Sequence, residues 1–170
     1  MKKLFVIAAF TCVTTLFTQD VLAQEESVKN RLGFFLAVAS GDIDEVGIGG
    51  IGEFKVAPRV TISPQILFFL PEDRGNHTES FFELNGNVNY YFYNHDIFEF
   101  YGLGGLNYTR RHRDFDNDGP NEYQGELGLN LGGGINFEVG RTFVPFSELR
   151  VTVGDFDQLV VTGGFKFNLH

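Results

Sequence analysis

From Phe82 to Phe92 every second residue is apolar or glycine: Phe82, Leu84, Gly86, Val88, Tyr90 and Phe92. Between them stand Glu83, Asn85, Asn87, Asn89 and Tyr91. A strand points successive side chains to opposite faces, so this stretch is a strand with one apolar and one polar face. The apolar face is also graded, with rings at both ends and small or aliphatic residues between. Sorting by depth suits a bilayer better than a protein core.

The same alternation recurs along the chain and predicts eight strands, near 31–40, 46–57, 60–70, 80–93, 97–110, 122–138, 142–153 and 158–169. Leu32, Phe34, Leu36 and Val38 share a face of the first, and Leu127, Leu129 and Leu131 share a face of the sixth. Pro64 weakens the third, because proline removes a ladder donor. The connections alternate as well. Those after odd strands are acidic and of variable length, the longest being Pro71 to Glu79 and Arg111 to Asn121; those after even strands are two or three residues. Nothing past residue 23 keeps a helical period, so the expectation is an all-β, eight-stranded antiparallel up-and-down barrel with the two sets of connections at opposite rims.

The first residues read differently. Met1-Lys2-Lys3 is a basic start, Leu4 to Phe17 is largely apolar, and Val21-Leu22-Ala23 offers small residues for cleavage. This is the layout of a secretory signal peptide, 1–23, leaving one barrel domain over 24–170. Cys12, the one cysteine of the chain, falls inside the signal, so the exported part is expected to carry no thiol chemistry. The formal net charge is −9 over 170 residues, with no basic run, which argues against nucleic acid as a partner.

Alternation alone does not separate a membrane barrel from a soluble one with its apolar face inward. Two further features favour the membrane. Apolar-face aromatics gather at strand ends: Phe68, Phe82, Tyr108 and Tyr123 at the long-loop rim, and Tyr90, Phe92, Phe98, Phe137, Phe143 and Phe167 at the short-turn rim. Two aromatic girdles around an aliphatic band are the pattern of lipid-spanning barrels. The polar face also carries both charge signs at mid-strand: Glu53, Glu83, Glu99, Glu126 and Glu148 with Lys55, Arg150 and Lys166. Inside a narrow barrel these side chains must converge, since unpaired burial is costly.

Three segments, L-N-G-N-V-N-Y-Y-F (84–92), F-Y-G-L-G-G-L-N-Y-T-R (100–110) and L-G-L-N-L-G-G-G-I-N-F (127–137), resemble the small eight-stranded outer-membrane β-barrels, the group of OmpX and the OmpA transmembrane domain. Thr162, Gly164, Phe167 and Leu169 look like the terminal signal read by the barrel-assembly machinery, with Leu169 in place of an aromatic residue and His170 after it. The resemblance implies an outer-membrane location, periplasmic termini and four outer loops, with lipid and lipopolysaccharide as surroundings. It covers essentially the whole exported chain and is only weakly specific for activity.

Site chemistry is sparse. Asp114, Asp116 and Asp118 before Gly119 match the first half of a calcium loop, but the twelfth position, where a bidentate Glu belongs, is Gly125. A solvated acidic loop is the simpler reading. His77, Thr78, Glu79 and Ser80 contain hydrolase residue types, yet neighbours on a strand point to opposite faces and do not form a triad. His95 and His112 fall in a turn and a charged loop. The long-loop rim gathers acids such as Asp42, Asp44, Asp155 and Asp157, interrupted by Arg110, Arg111 and Arg113. It could bind lipopolysaccharide phosphates through divalent cations or the arginines, or simply be a polar loop surface. The expectation is a monomeric, non-enzymatic barrel with a side-chain-filled interior, no catalytic residue, no cofactor and no metal, whose loops serve envelope integrity or contact a surface or host ligand. The alternatives are a narrow channel for small solutes and a lipid A hydrolase or acyltransferase.

Overall fold

The computed structural model describes residues 28–73, 77–95, 97–115, 122–140, 142–155 and 157–169; the signal-peptide expectation lies outside them. Eight main strands follow one another: β1 (Arg31–Gly41), β2 (Val46–Ala57), β3 (Val60–Phe69), β4 (His77–Asn94), β5 (Phe98–Phe115), β6 (Glu122–Phe137), β7 (Phe143–Gly154) and β8 (Gln158–Asn168). Each pairs antiparallel with the next, and β8 returns to β1 with Arg31 opposite Asn168 and Gly41 opposite Gln158. The sheet is therefore a closed barrel without a free lengthwise edge. A short ladder, Glu72–Asp73 against Glu79–Thr78, decorates the connection between β3 and β4.

Inside and outside are inverted relative to a soluble domain. Leu127, Leu131 and Leu106 point outward at 71%, 65% and 64% exposure, while Arg31, Glu53, Glu83 and Lys166 point inward at 0%. The outer aliphatic belt ends in rings that pair in space. Phe68 and Phe82 lie 5.0 Å apart at the long-loop rim. At the short-turn rim Phe143 stacks on Phe165 at 4.9 Å, and Phe98 meets Phe137 edge-on at 5.6 Å. The Tyr123 side chain lies outside the described residues.

The lumen is filled by side chains, and glycine makes the room. Gly134 stands directly across the ladder from Tyr101, and a Cβ there would lie 2.4 Å from the Tyr101 ring. Gly49 does the same for Phe35, at 2.3 Å. One apolar lumen cluster joins Phe35, Ala37, Leu67, Phe69, Phe146 and Val160 among others. It also includes Ile43, so the first connection, expected as an acidic turn, folds one apolar side chain over the long-loop mouth. Beside that mouth Asp42 and Asp157 continue the β1–β8 seam: Asp42 N donates to Asp157 O at 3.0 Å, and Asp157 N donates to the Asp42 carboxylate at 2.8 Å.

Two strand boundaries differ from expectation. β4 begins at His77 and β5 runs to Phe115, so His77–Glu79 and Arg111–Phe115 are strand where loops were expected. Pairing of β4 with β3 stops at Phe68 opposite Phe82, and β7 joins β6 only from Gly154 opposite Gly128. The upper parts of β4, β5 and β6 thus rise as a three-stranded sheet above the rim. Both faces of that sheet are free to be polar, so apolar alternation, the signal used to bound the strands, stops at the rim while hydrogen bonding continues. Pro64 remains in β3. The β2–β3 ladder opens between Ile51–Gln65 and Phe54–Ile62, while β3–β4 pairing runs on through Pro64 and Gly86.

Candidate functional site

The lumen charges form two layers. Nearest the short turns, Arg31 Nη1 meets Glu99 Oε2 at 2.8 Å and Nη2 meets Glu99 Oε1 at 2.9 Å, while Nε donates to Asn168 Oδ1 at 2.9 Å. Glu138, just past β6, takes a further contact from Nη2 at 2.5 Å. Glu53 joins this layer: Lys166 Nζ lies 3.0 Å from its Oε2, Thr61 donates to Oε1 at 2.9 Å, and the Tyr91 hydroxyl donates to the same oxygen. Asn136 ties the halves together, donating to Glu99 Oε2 at 2.9 Å and accepting from Lys166 at 3.0 Å.

Toward the loops, Arg150 Nη2 meets Glu83 Oε2 at 2.9 Å and Nη1 donates to Gln65 Oε1 at 3.1 Å. Gln65 and the Tyr101 hydroxyl donate to Glu148, at 3.2 Å and 3.0 Å, and Gln158 donates to Glu83. Lys166 connects the layers, with its ammonium 4.9 Å from the Tyr101 ring centroid and 4.5 Å from that of Phe146. Beside the upper layer an amide chain runs across three strands: Asn130 donates to Asn85 and Asn87 at 2.9 Å, and Asn107 to Asn85 at 2.8 Å. Removing ions from water is tolerable when each charge finds an opposite one, which these contacts provide, although Asn87 Nδ2, Arg150 Nε and Gln158 Oε1 are buried without a hydrogen-bond partner. The arrangement crosslinks distant strands and fills the lumen.

The expected convergence is met by Glu53, Glu83, Glu99, Glu148, Arg150 and Lys166, all buried. Lys55 does not take part. It stands opposite the buried Thr61, on the inward side, but at the short-turn end of β2 just before a register shift between Lys55 and Ala57, and its side chain is exposed there. Glu126 is half-buried at the upper rim, beside a shallow recess that it lines with Asn107, Thr109, Leu127 and Gly128. Arg31 was missed as a lumen residue. Its signal was available, since Leu32 and Phe34 facing out puts residue 31 on the inner face, but it sits at the boundary with a polar leader.

The remaining candidates do not assemble. Residues 116–121 of the proposed calcium loop, with the side chain of Asp114, lie outside the described residues, as does the His77 side chain. Among the described residues no group of three or more His, Cys, Asp or Glu side chains is placed to hold a metal. Ser80 stands across the ladder from His112. Glu79, next to Ser80, turns to the opposite face, where Arg113 Nε donates to it at 2.7 Å. The three residue types are thus split between two faces.

The sequence matches no family model and no curated protein. Among solved structures, the N-terminal β-barrel domain of Pseudomonas aeruginosa OprF superposes with TM-score 0.62 at 15% identity, over 83% of this chain and 98% of that one. Neisserial surface protein A aligns with TM-score 0.66 at 12% identity, over 82% and 96%. Ail, the attachment invasion locus protein of Yersinia pestis, in complex with the heparin analogue sucrose octasulfate, aligns with TM-score 0.59 at 15% identity, over 82% and 95%. This chain has the fold of the small eight-stranded outer-membrane β-barrels.

Proposed function

We propose that the protein is an integral outer-membrane barrel, exported by removal of a signal peptide at 1–23, with termini and short turns in the periplasm and the long connections outside. The inverted surface carries this reading. A belt of exposed Leu, Val, Ile and Phe around a lumen of buried ions is unfavourable in water and favourable in lipid. The likeness of the final strand to a terminal assembly signal supports insertion by the barrel-assembly machinery, and the barrel is proposed to be a monomer. The test is membrane fractionation with a heat-modifiability gel. Recovery in the outer membrane, with faster migration of the unheated band, is the expected result, and a soluble, unshifted protein would defeat the proposal.

Its role is non-enzymatic and is exerted by the outer sheet of β4, β5 and β6. Arg110 on that sheet is exposed, with Arg111 and Arg113 half-buried beside it. Arg111 and Arg113 share one face of β5, where Arg113 is held by Glu79, and Arg110 projects from the other; guanidinium groups suit phosphate or sulfate. The sulfated ligand seen on Ail makes polyanions, lipopolysaccharide phosphates or sulfated host polymers, the first class to assay. Binding of heparin beads by cells expressing the protein, lost in an Arg110→Ala, Arg111→Ala double variant with the same heat shift, is the expected result. Narrow-channel activity is the competing reading, and a reproducible conductance in liposomes would establish it. Loss of a lipid A change on Ser80→Ala would establish an enzyme.

A further inference from the structure

Val28 precedes β1 and belongs to no strand, yet it is only 2% exposed. It shares an apolar cluster with Tyr91, Tyr101 and Leu103, inward side chains of β4 and β5. A leader at a barrel rim is ordinarily solvated, so burial of one of its side chains requires that the chain bend into the lumen. The two residues that follow are fastened there. Lys29 Nζ lies 3.4 Å from Glu138 Oε2. Asn30 Oδ1 accepts from the Lys55 amide at 2.8 Å, and Asn30 O accepts from the Leu169 amide at 2.8 Å. Glu138 therefore holds Lys29 through one oxygen and Arg31, at 2.5 Å, through the other.

We propose that residues 28–30 are a stopper for the short-turn mouth. Val28 is the bung, the surface made by Tyr91, Tyr101 and Leu103 is its seat, and Glu138 is the clasp. Seated, the stopper separates bulk water from the Arg31–Glu99–Glu53 layer. Val28 and Lys29 can leave without disturbing the barrel ladder, because their contacts are made by side chains, while Asn30 stays bonded to the Leu169 amide and serves as the hinge. One arm of the clasp is weak by construction: Lys29 is 49% exposed at its side chain, so that pair is screened by salt, whereas in the other arm Arg31 is fully buried and Glu138 only 12% exposed. The device is independent of the role of the outer loops and operates in any medium that keeps the barrel folded.

A unique thiol tests it. The full chain carrying Cys12→Ser and Val28→Cys is folded in detergent, its heat shift is checked, and its rate of reaction with a charged, water-soluble thiosulfonate is measured. Asp155→Cys in the same background is the exposed reference. The Val28→Cys thiol is expected to react about a hundredfold more slowly than the reference, since it reacts only from an opened state. Adding Glu138→Ala is expected to raise the rate about tenfold by populating that state. Lys29→Glu sets a second carboxylate against Glu138 while sparing Arg31, and it should accelerate the reaction severalfold even where Glu138→Ala impairs folding. Equal rates for Val28→Cys and Asp155→Cys would remove the bung. A slow rate unmoved by either clasp variant would remove the clasp, and with it the proposal.

Discussion

Arg31 and Glu99 form a two-pronged pair across the barrel floor, with Nη1–Oε2 at 2.8 Å and Nη2–Oε1 at 2.9 Å, both side chains 5% exposed or less. Arg31 lies at the start of β1 and Glu99 near the start of β5, so the pair ties together strands on opposite sides of the lumen. Deleting one member leaves the other charged and dry. Arg31→Ala is expected to cost about 3–5 kcal/mol, the range for an orphaned buried ion. Arg31→Met with Glu99→Leu, which removes both charges and keeps volume, should recover much of that loss. Urea unfolding of barrels folded in lipid vesicles measures both, and a single variant as stable as the wild type would refute the pairing argument.

Tyr101 depends on Gly134 in a steric rather than an electrostatic way. A Cβ at 134 would come within 2.4 Å of the Tyr101 ring and 2.9 Å of the Ser147 carbonyl oxygen. Gly134→Val should therefore destabilise by about 1–3 kcal/mol through overpacking. Tyr101→Ala in the same chain should relieve part of this, though it leaves Glu148 without the donor now 3.0 Å away. The double-mutant cycle is the measurement, and additive effects would show that ring and glycine do not meet.

Leu131 lies midway along the barrel part of β6 and points outward at 65% exposure. In a bilayer, Leu131→Arg is expected to cost about 2–4 kcal/mol, and the same change at Phe137 near the short-turn rim about 0–1 kcal/mol. In detergent the difference should shrink. Equilibrium folding into vesicles against folding in micelles distinguishes the two, and equal costs at both depths would contradict a spanning belt.

Much of this was legible in the residues because lipid makes one face of every strand apolar. The period of two then reports orientation for long runs, as it did for 82–92, 106–109 and 158–169, and barrel closure followed from eight strands with alternating connections. What escaped notice lies where that constraint lapses. Above the rim neither face must be apolar, so Arg111 and Arg113 read as loop although they continue β5. At the short-turn end of β2 the inward side of the strand runs out past the packed layer, so Lys55 is exposed although its parity points inward, and pattern reading does not report depth. Val28 and Ile43 are single apolar residues in polar segments, and only the three-dimensional placement of a mouth beside each explains their burial. The interior cluster of Phe35, Leu67, Phe69 and Val160 was hidden for a further reason. These residues sit between outward apolar neighbours, so their stretches read as continuous apolar runs rather than as two faces.

Lys55 and Lys166 put the role of depth to a direct test, since the sequence gives them the same standing on the polar face. Lys166 is fully buried, 3.0 Å from Glu53 and 3.0 Å from Asn136, with two rings beneath its ammonium. Lys55 keeps the inward side, opposite Thr61, but it stands at the short-turn end of β2, beyond the packed layer, and its side chain is exposed. Lys166→Met removes the nearest cation from Glu53 and leaves Arg31 Nη1 at 3.8 Å as the remaining one. A loss of about 3 kcal/mol is expected, at the low end for a broken buried pair because Arg31 compensates in part. Lys55→Met leaves the backbone amide that holds Asn30 in place and should change stability by no more than about 0.5 kcal/mol. Unfolding midpoints of the two variants in the same vesicles decide the matter. Similar losses would mean that Lys55 makes lumen contacts as costly to remove as those of Lys166.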